Sequence, residues 1–305
     1  MKKLWMLIAL NAIIIIAHAQ SPVIKITGTK FPFEIMQQWI DAYTETHPGI
    51  QFRLSKSIPL DSADLLIAAH AFNPGELNED AVVIALNRYA QLPIANSKRK
   101  DLQALQQKGF SQQDLQHIYF NVEQHKTDGL SEPVTVYRRE KQVCASRSFS
   151  ENVTGSQLDV AGILVNGDDR ALSAAVKNDI DGISYNNLGL IYNLQTRKVA
   201  DSIAVIPIDL NENGKIDDNE NIYATLDEVL AFLSTSPHSI IPQDNVNIVI
   251  NRKTISRNAL DFLNWVITQG QQYNNGYGFS DLDKTVALQQ QQLLNSLVKD
   301  NALIK

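Results

Sequence analysis

Cysteine is nearly absent: the 305 residues hold one, Cys144. An internal disulfide framework is therefore excluded. An excess of positive charge is missing too. The formal charge is −6 and the pI about 5.5, which removes the basic footprint of a nucleic-acid binder. No apolar run reaches the roughly 20 residues that span a bilayer. The run within MKKLWMLIALNAIIIIAHAQ is about 15 residues by inspection, and no cysteine follows it to carry a lipoprotein anchor. No short-period repeat, long linker or Gly-x-Ser-x-Gly elbow of a serine hydrolase is present.

What the first residues do contain is Lys2 and Lys3, the apolar run, then Ala17-His18-Ala19. A charged region, a hydrophobic region and a small-x-small site predict a signal peptide over 1–19, with cleavage after Ala19. The expected location is exported and periplasmic, without a stable membrane anchor. The remaining roughly 285 residues suit two domains better than one. A hydrophobic content of 44% is ordinary for a packed chain.

DLNENGKIDDNE, residues 209–220, reads as a calcium loop. Asp209, Asn211 and Asn213 stand at loop positions 1, 3 and 5, and Gly214 at the sharp turn. Lys215 offers its backbone carbonyl, Asp217 ligates directly or through water, and Glu220 supplies two oxygens. Ile216 can pin the loop to a core. A polar surface turn would use similar residues, but would not need this spacing. The flanks are a strand-like DSIAVIPIDL and a helix-like TLDEVLAFL opened by Thr225 and Glu228. A sensor needs a helix on both sides, so the predicted role of Ca2+ is structural.

Strands and helices alternate along the chain. Strands are predicted at 22–29, 50–54, 63–69, 81–88, 134–140 and 246–253, with 182–192 mixing strand and turn. Helices are predicted at 33–49, 99–108, 111–119 and 258–269. The first presents Ile35, Met36, Trp39, Ile40 and Tyr43 on one face. The glutamine run at 289–292 sits in an apolar-periodic stretch and reads as helix.

The order of these pieces resembles the PstS-like phosphate-binding proteins of ABC importers, within the type II solute-binding fold. ITGTKFPFEIMQQWIDAYTETHPGIQF is similar to the family's opening strand, ligand turn and first helix. SADLLIAA resembles its Asp-bearing strand, and NEDAVVIALNRYAQLPI its crossover. VYRRE…SF stands in the place of the Arg and Ser-Gly-Thr loop. DIDGISYNNLGLIY and ALDFLNWVITQGQQYNNGYGF are similar to later segments. The resemblance implies an α/β fold of two lobes, each a mixed or parallel sheet flanked by helices, joined by two crossover strands. It places one lobe at 20–84 plus 247–305 and the other at 85–246, with the ligand clamped between.

It also implies site residues. Gly28-Thr29-Lys30-Phe31 forms the turn whose N–H groups face an anion, with Lys30 where the family has a hydroxyl. Lys30 reads equally as a solvated surface lysine. Asp64 matches the family's carboxylate, which would accept the proton of phosphate and reject sulfate; a capping role is the plainer reading. Arg139, ten residues before Phe149, matches the family's arginine, and its neighbour Arg138 points the other way on a strand. Where the family has Ser-Gly-Thr, this chain has Val143-Cys144-Ala145 or, shifted by one, Cys144-Ala145-Ser146. Ser146 is a candidate donor. A nucleophilic Cys144 would need a base, and no histidine shares a motif with it.

These observations predict a monomeric, non-enzymatic receptor. It would capture a small oxyanion, phosphate first, for the permease of an inner-membrane ABC importer. The alternative is a calcium-stapled structural or adhesive protein on a receptor fold whose anion site is altered.

Overall fold

The computed structural model describes residues 23–121, 130–140, 143–236 and 239–303. The expected signal peptide lies outside the described residues. Among them no helix is long and apolar enough to cross a membrane.

β1 (Ile24–Gly28) leads into α1 (Phe33–Thr46), which buries Ile35, Met36, Trp39, Ile40 and Tyr43 as its periodicity predicts. β2 (Phe52–Leu54) and β3 (Leu65–Ala68) flank β1 in parallel. Gly28 at the end of β1 has φ +120°, and a Cβ there would stand 2.2 Å from the Ile67 carbonyl oxygen. Only glycine permits β1 and β3 to approach this closely before the chain turns.

β4 (Ala81–Asn96) runs eight residues past its expected end. It pairs antiparallel with β9 (Gln243–Asn251), with a register shift between Ala85 and Asn87. α2 (Leu102–Lys108) and α3 (Gln112–Phe120) follow, α3 opened by a capping box of Ser111 and Asp114. Next come β5 (Thr135–Arg138), α4 (Cys144–Thr154), β6 (Ile163–Leu164), α5 (Asp169–Asn178) and β7 (Gly182–Asn187). Then come α6 (Leu188–Ile191), β8 (Ile203–Val205) and α7 (Leu226–Thr235), the last with the expected box of Thr225 and Glu228. α8 (Arg257–Thr268) and α9 (Lys284–Leu303) close the described chain, and α9 contains the glutamine run.

The strand order is β2-β1-β3-β9-β4-β7-β5-β6, with β8 also on β4. The sheet serves two hydrophobic cores. One gathers Ile26, Trp39, Ile84, Ile248 and Phe262; the other gathers Leu92, Phe149, Tyr185, Ile206 and Leu226. β4 contributes to both, and its allegiance changes between Tyr89 and Ala90. The result is a mixed α/β architecture in which a long strand pair passes from one core to the other. α5 and the edge strand β6 were not foreseen in the sequence.

Candidate functional site

Three helix starts converge on one cavity of about 220 Å³. α1 begins after the turn Thr29–Pro32, where the Phe33 amide donates to the Lys30 carbonyl at 2.9 Å. α4 begins at Cys144. Neither has a side-chain cap, and first-turn amides have no partner within their own helix. α5 begins at Asp169, with the Asp168 carboxylate accepting from the Arg170 amide. Helix N-termini carry partial positive charge and favour anions, so this convergence makes the cavity attractive to an oxyanion.

Every cationic side chain lining the cavity is already paired. Lys30 Nζ lies 2.7 Å from Asp168, Arg139 Nη1 lies 2.8 Å from Asp169, and Arg170 pairs with Glu34. Burial raises the pKa of Asp169 above the usual aspartate range, against the opposing pull of Arg139. The hydrogen bond from Lys30 holds Asp168 below it, despite partial burial. Farther along α4, Arg147 bonds Glu76 at 2.9 Å and, chiefly through that bond, lowers the Glu76 pKa to about 2. The Lys30–Asp168, Arg170–Glu34 and Arg147–Glu76 pairs link segments on the two sides of the cavity.

Thr29, Lys30, Phe31, Arg139 and Cys144 line the cavity, whereas Gly28, Asp64, Arg138, Ala145 and Ser146 do not. Asp64 is the main correction. It is exposed at the start of β3 and accepts from the Lys25 amide at 2.7 Å. The cavity lies at the other end of that strand, where the Thr29 amide donates to the Ile67 carbonyl. Four residues at about 3.3 Å each place Ala68 roughly 13 Å beyond Asp64. The acidic groups actually at the cavity are Glu34, Asp168 and Asp169.

Ser146 turns inward on α4 and is 3% exposed, its hydroxyl bonded by the Tyr185 hydroxyl at 2.9 Å. Ala145 is buried beside it, its carbonyl accepting from Gln91. Arg138 points away along the strand alternation, and its Nε donates to the Gly162 carbonyl. Val143, named in one alignment of the Ser-Gly-Thr loop, also lines the cavity, and the sequence reading missed Phe33, Glu34, Asp168, Asp169, Arg170 and Leu190. The available signal was Asp168 as an N-cap residue before ALSAAVKN.

Cys144 has the base it was expected to lack. Its Sγ lies 2.9 Å from His70 Nδ1 and 2.8 Å from Thr29 Oγ1. Burial first, and Arg147 second, lower the His70 pKa. Both effects favour the neutral imidazole, which in the tautomer protonated at Nε2 can accept the thiol proton at Nδ1.

No protein-family model and no curated protein matches the chain. Solved structures do. A phosphate ABC transport receptor from Vibrio cholerae matches with a TM-score of 0.60 and 15% identity, covering 86% of this chain and all of its own. A Clostridium perfringens protein, assigned to phosphate ABC transport and crystallised with phosphate, gives 0.64 and 14% over the same shares. PstS from Borrelia burgdorferi gives 0.51 and 12%, covering 87% of this chain and all of its own. The fold is that of the periplasmic binding proteins. In that fold Phe31 of the cavity wall packs against Tyr89 of β4, the strand shared by the two cores, with ring centroids 4.9 Å apart.

A second candidate site on this periplasmic-binding-protein fold is the 209–220 loop, between β8 and α7. Asp209 is 1% exposed and Glu220 2%. The Asp209 carboxylate accepts from the amides of Asn213 and Gly214, and Glu220 from those of Asn211 and Asp217. Among the described residues neither carboxylate has an ion-pair partner, whereas Asp217 meets Lys215 at 2.6 Å. Both buried charges, after burial itself, raise the pKa of Tyr223. Ile216 anchors the loop: its amide donates to Gln107, and its side chain fills the space left by Gly109. Among the described residues no three His, Cys, Asp or Glu side chains are grouped to hold a metal ion. Any ion here would also draw on the Asn side chains and the Lys215 carbonyl. Two buried carboxylates without an ion-pair partner nevertheless fit a cation, since buried charge is costly without one.

Proposed function

We propose that this chain is an exported, non-enzymatic receptor that captures a small oxyanion between its lobes and delivers it to an ABC importer permease. The lobes of this reading are residues 20–84 with 247–305, and residues 85–246. The observation that carries it is the convergence of α1, α4 and α5 on one cavity beside Arg139. Backbone amides at helix starts and a guanidinium fork are the groups an oxyanion needs. The phosphate transport roles of the Vibrio cholerae and Clostridium perfringens proteins support the same reading. In this reading Asp169, not Asp64, is the carboxylate that accepts a proton from phosphate and repels sulfate. The expected result of calorimetric titration is heat with phosphate and none with sulfate. No heat with phosphate, sulfate or any organic phosphonate refutes the receptor reading and favours the structural alternative.

We further propose that the 209–220 loop holds a structural Ca2+ through Asp209, Asn211, Asn213, Lys215, Asp217 and Glu220. A bound calcium would neutralise the buried pair of carboxylates.

A second reading, chemistry at Cys144, is favoured by the 2.9 Å contact with His70. With a base in reach the thiol gives up its proton when it attacks an electrophile. Because Cys144 is the sole cysteine, iodoacetamide reports on it alone. His70→Gln is expected to slow this alkylation on the order of 100-fold, the lower end of general-base effects. An unchanged rate would remove the reading.

A further inference from the structure

Beside the cavity lies a second pocket, of about 30 Å³, that shares Phe31, Glu34, Arg170 and Leu190 with it. Its inner wall includes Asn187, the last residue of β7. Asn187 is 4% exposed, and neither its Nδ2 nor its Oδ1 has a hydrogen-bond partner among the described residues. Gln91, opposite Asn187 in the β4–β7 ladder, likewise leaves Oε1 without one. Buried amides are normally satisfied, because leaving one unpaired costs about 1–3 kcal/mol. An unmet amide on a residue that lines a pocket points to a partner that enters the pocket.

The size of the cavity agrees. A water needs about 10–15 Å³ measured this way, so 220 Å³ has room for on the order of fifteen water-sized groups. An inorganic oxyanion would use roughly a third of that. Much of the remaining wall is apolar, made by Phe31, Phe33, Val143 and Leu190. Such a wall contributes little to a bare anion, which keeps its hydration, and favours an attached hydrocarbon. Phe31 itself is held against Tyr89 and Phe279, with ring centroids 4.9 and 6.1 Å away, so this face is preformed.

Resting on the oxyanion reading above, we infer that the ligand is an organic oxyanion, a phosphonate or phosphate ester with an apolar body and a hydrogen-bonding tail. The oxyanion head lies at the helix starts and Arg139. The body runs along Phe31 and Leu190. The tail reaches the Asn187 amide, which offers one acceptor and two donor hydrogens.

The test is calorimetric titration of the unmodified chain with inorganic phosphate, methylphosphonate, phenylphosphonate and 4-carbamoylphenylphosphonate. The expected order is phenylphosphonate at least tenfold tighter than methylphosphonate, and the carbamoyl compound tighter again. Asn187→Leu is expected to erase the gain from the carbamoyl group and leave methylphosphonate affinity as it was. If inorganic phosphate binds tightest, or the three phosphonates bind alike, the organic ligand is overturned while the oxyanion receptor stands. If none of the four binds, the oxyanion reading itself fails.

Discussion

Replacing Arg139 by glutamine is expected to weaken phosphate binding about thirtyfold to a few thousandfold, the equivalent of about 2–5 kcal/mol for truncating one partner of a buried charge pair. Arg139 and Asp169 are 12% and 10% exposed in their side chains, so little water screens them. The fork touches Asp169 through Nη1, which leaves other N–H groups able to meet an anion. Burial already disfavours the Asp169 carboxylate, and losing Arg139 would disfavour it further. The loss therefore has two sources, a missing donor and a more costly neighbour. Arg139→Lys separates them. It keeps the charge but not the planar fork, so an affinity between the parent and the glutamine variant is expected. Calorimetry with phosphate decides the matter, with melting curves to show that each variant is folded. Unchanged affinity in Arg139→Gln would mean that the anion does not sit at α4 and α5.

The sequence made the frame legible where local chemistry was explicit. Thr225 with Glu228 announced a helix that the fold contains. The apolar face of α1 predicted its buried residues one by one. Thr29, Lys30 and Phe31 could be placed because a glycine turn between a strand and a helix has few alternatives. Site residues that depend on counting along a ladder were less secure. Asp64 was chosen by likeness of motif, yet β1 and β3 are parallel and in a register that sends their other ends to the cavity. α5 escaped notice because only Leu172 and Val176 are large buried apolar residues on it, too few to make a helical stripe. With it went Asp168 to Arg170, half of the cavity's ionised groups. His70 and Cys144 are 74 residues apart. No spacing rule joins them, and only the end of β3 meeting the start of α4 does.

Glu220→Gln is expected to abolish most of the thermal stabilisation that calcium confers. Calcium binding to the folded chain alone, at a hundredfold excess over Kd, would contribute about 2.7 kcal/mol. For a chain of this size that corresponds to a Tm rise on the order of 4–5 °C. The rise, not the absolute Tm, is the quantity to compare. Each Glu220 oxygen accepts one backbone amide, and glutamine can satisfy only one of them, so the variant loses about 1 kcal/mol or more with or without calcium. What distinguishes a calcium ligand from a loop brace is the difference between melts in excess calcium and in chelator. The parent is expected to show the full rise and the variant less than half of it. Lys215→Ala supplies the opposite control: freeing Asp217 from an exposed, solvent-screened pair should leave the rise intact or enlarge it. Phosphate affinity should stay near the parent value in Glu220→Gln, because residues 209–220 contribute nothing to the cavity lining. An equal rise in parent and variant, or none in the parent, would reduce the loop to a turn whose buried carboxylates are balanced by backbone amides alone.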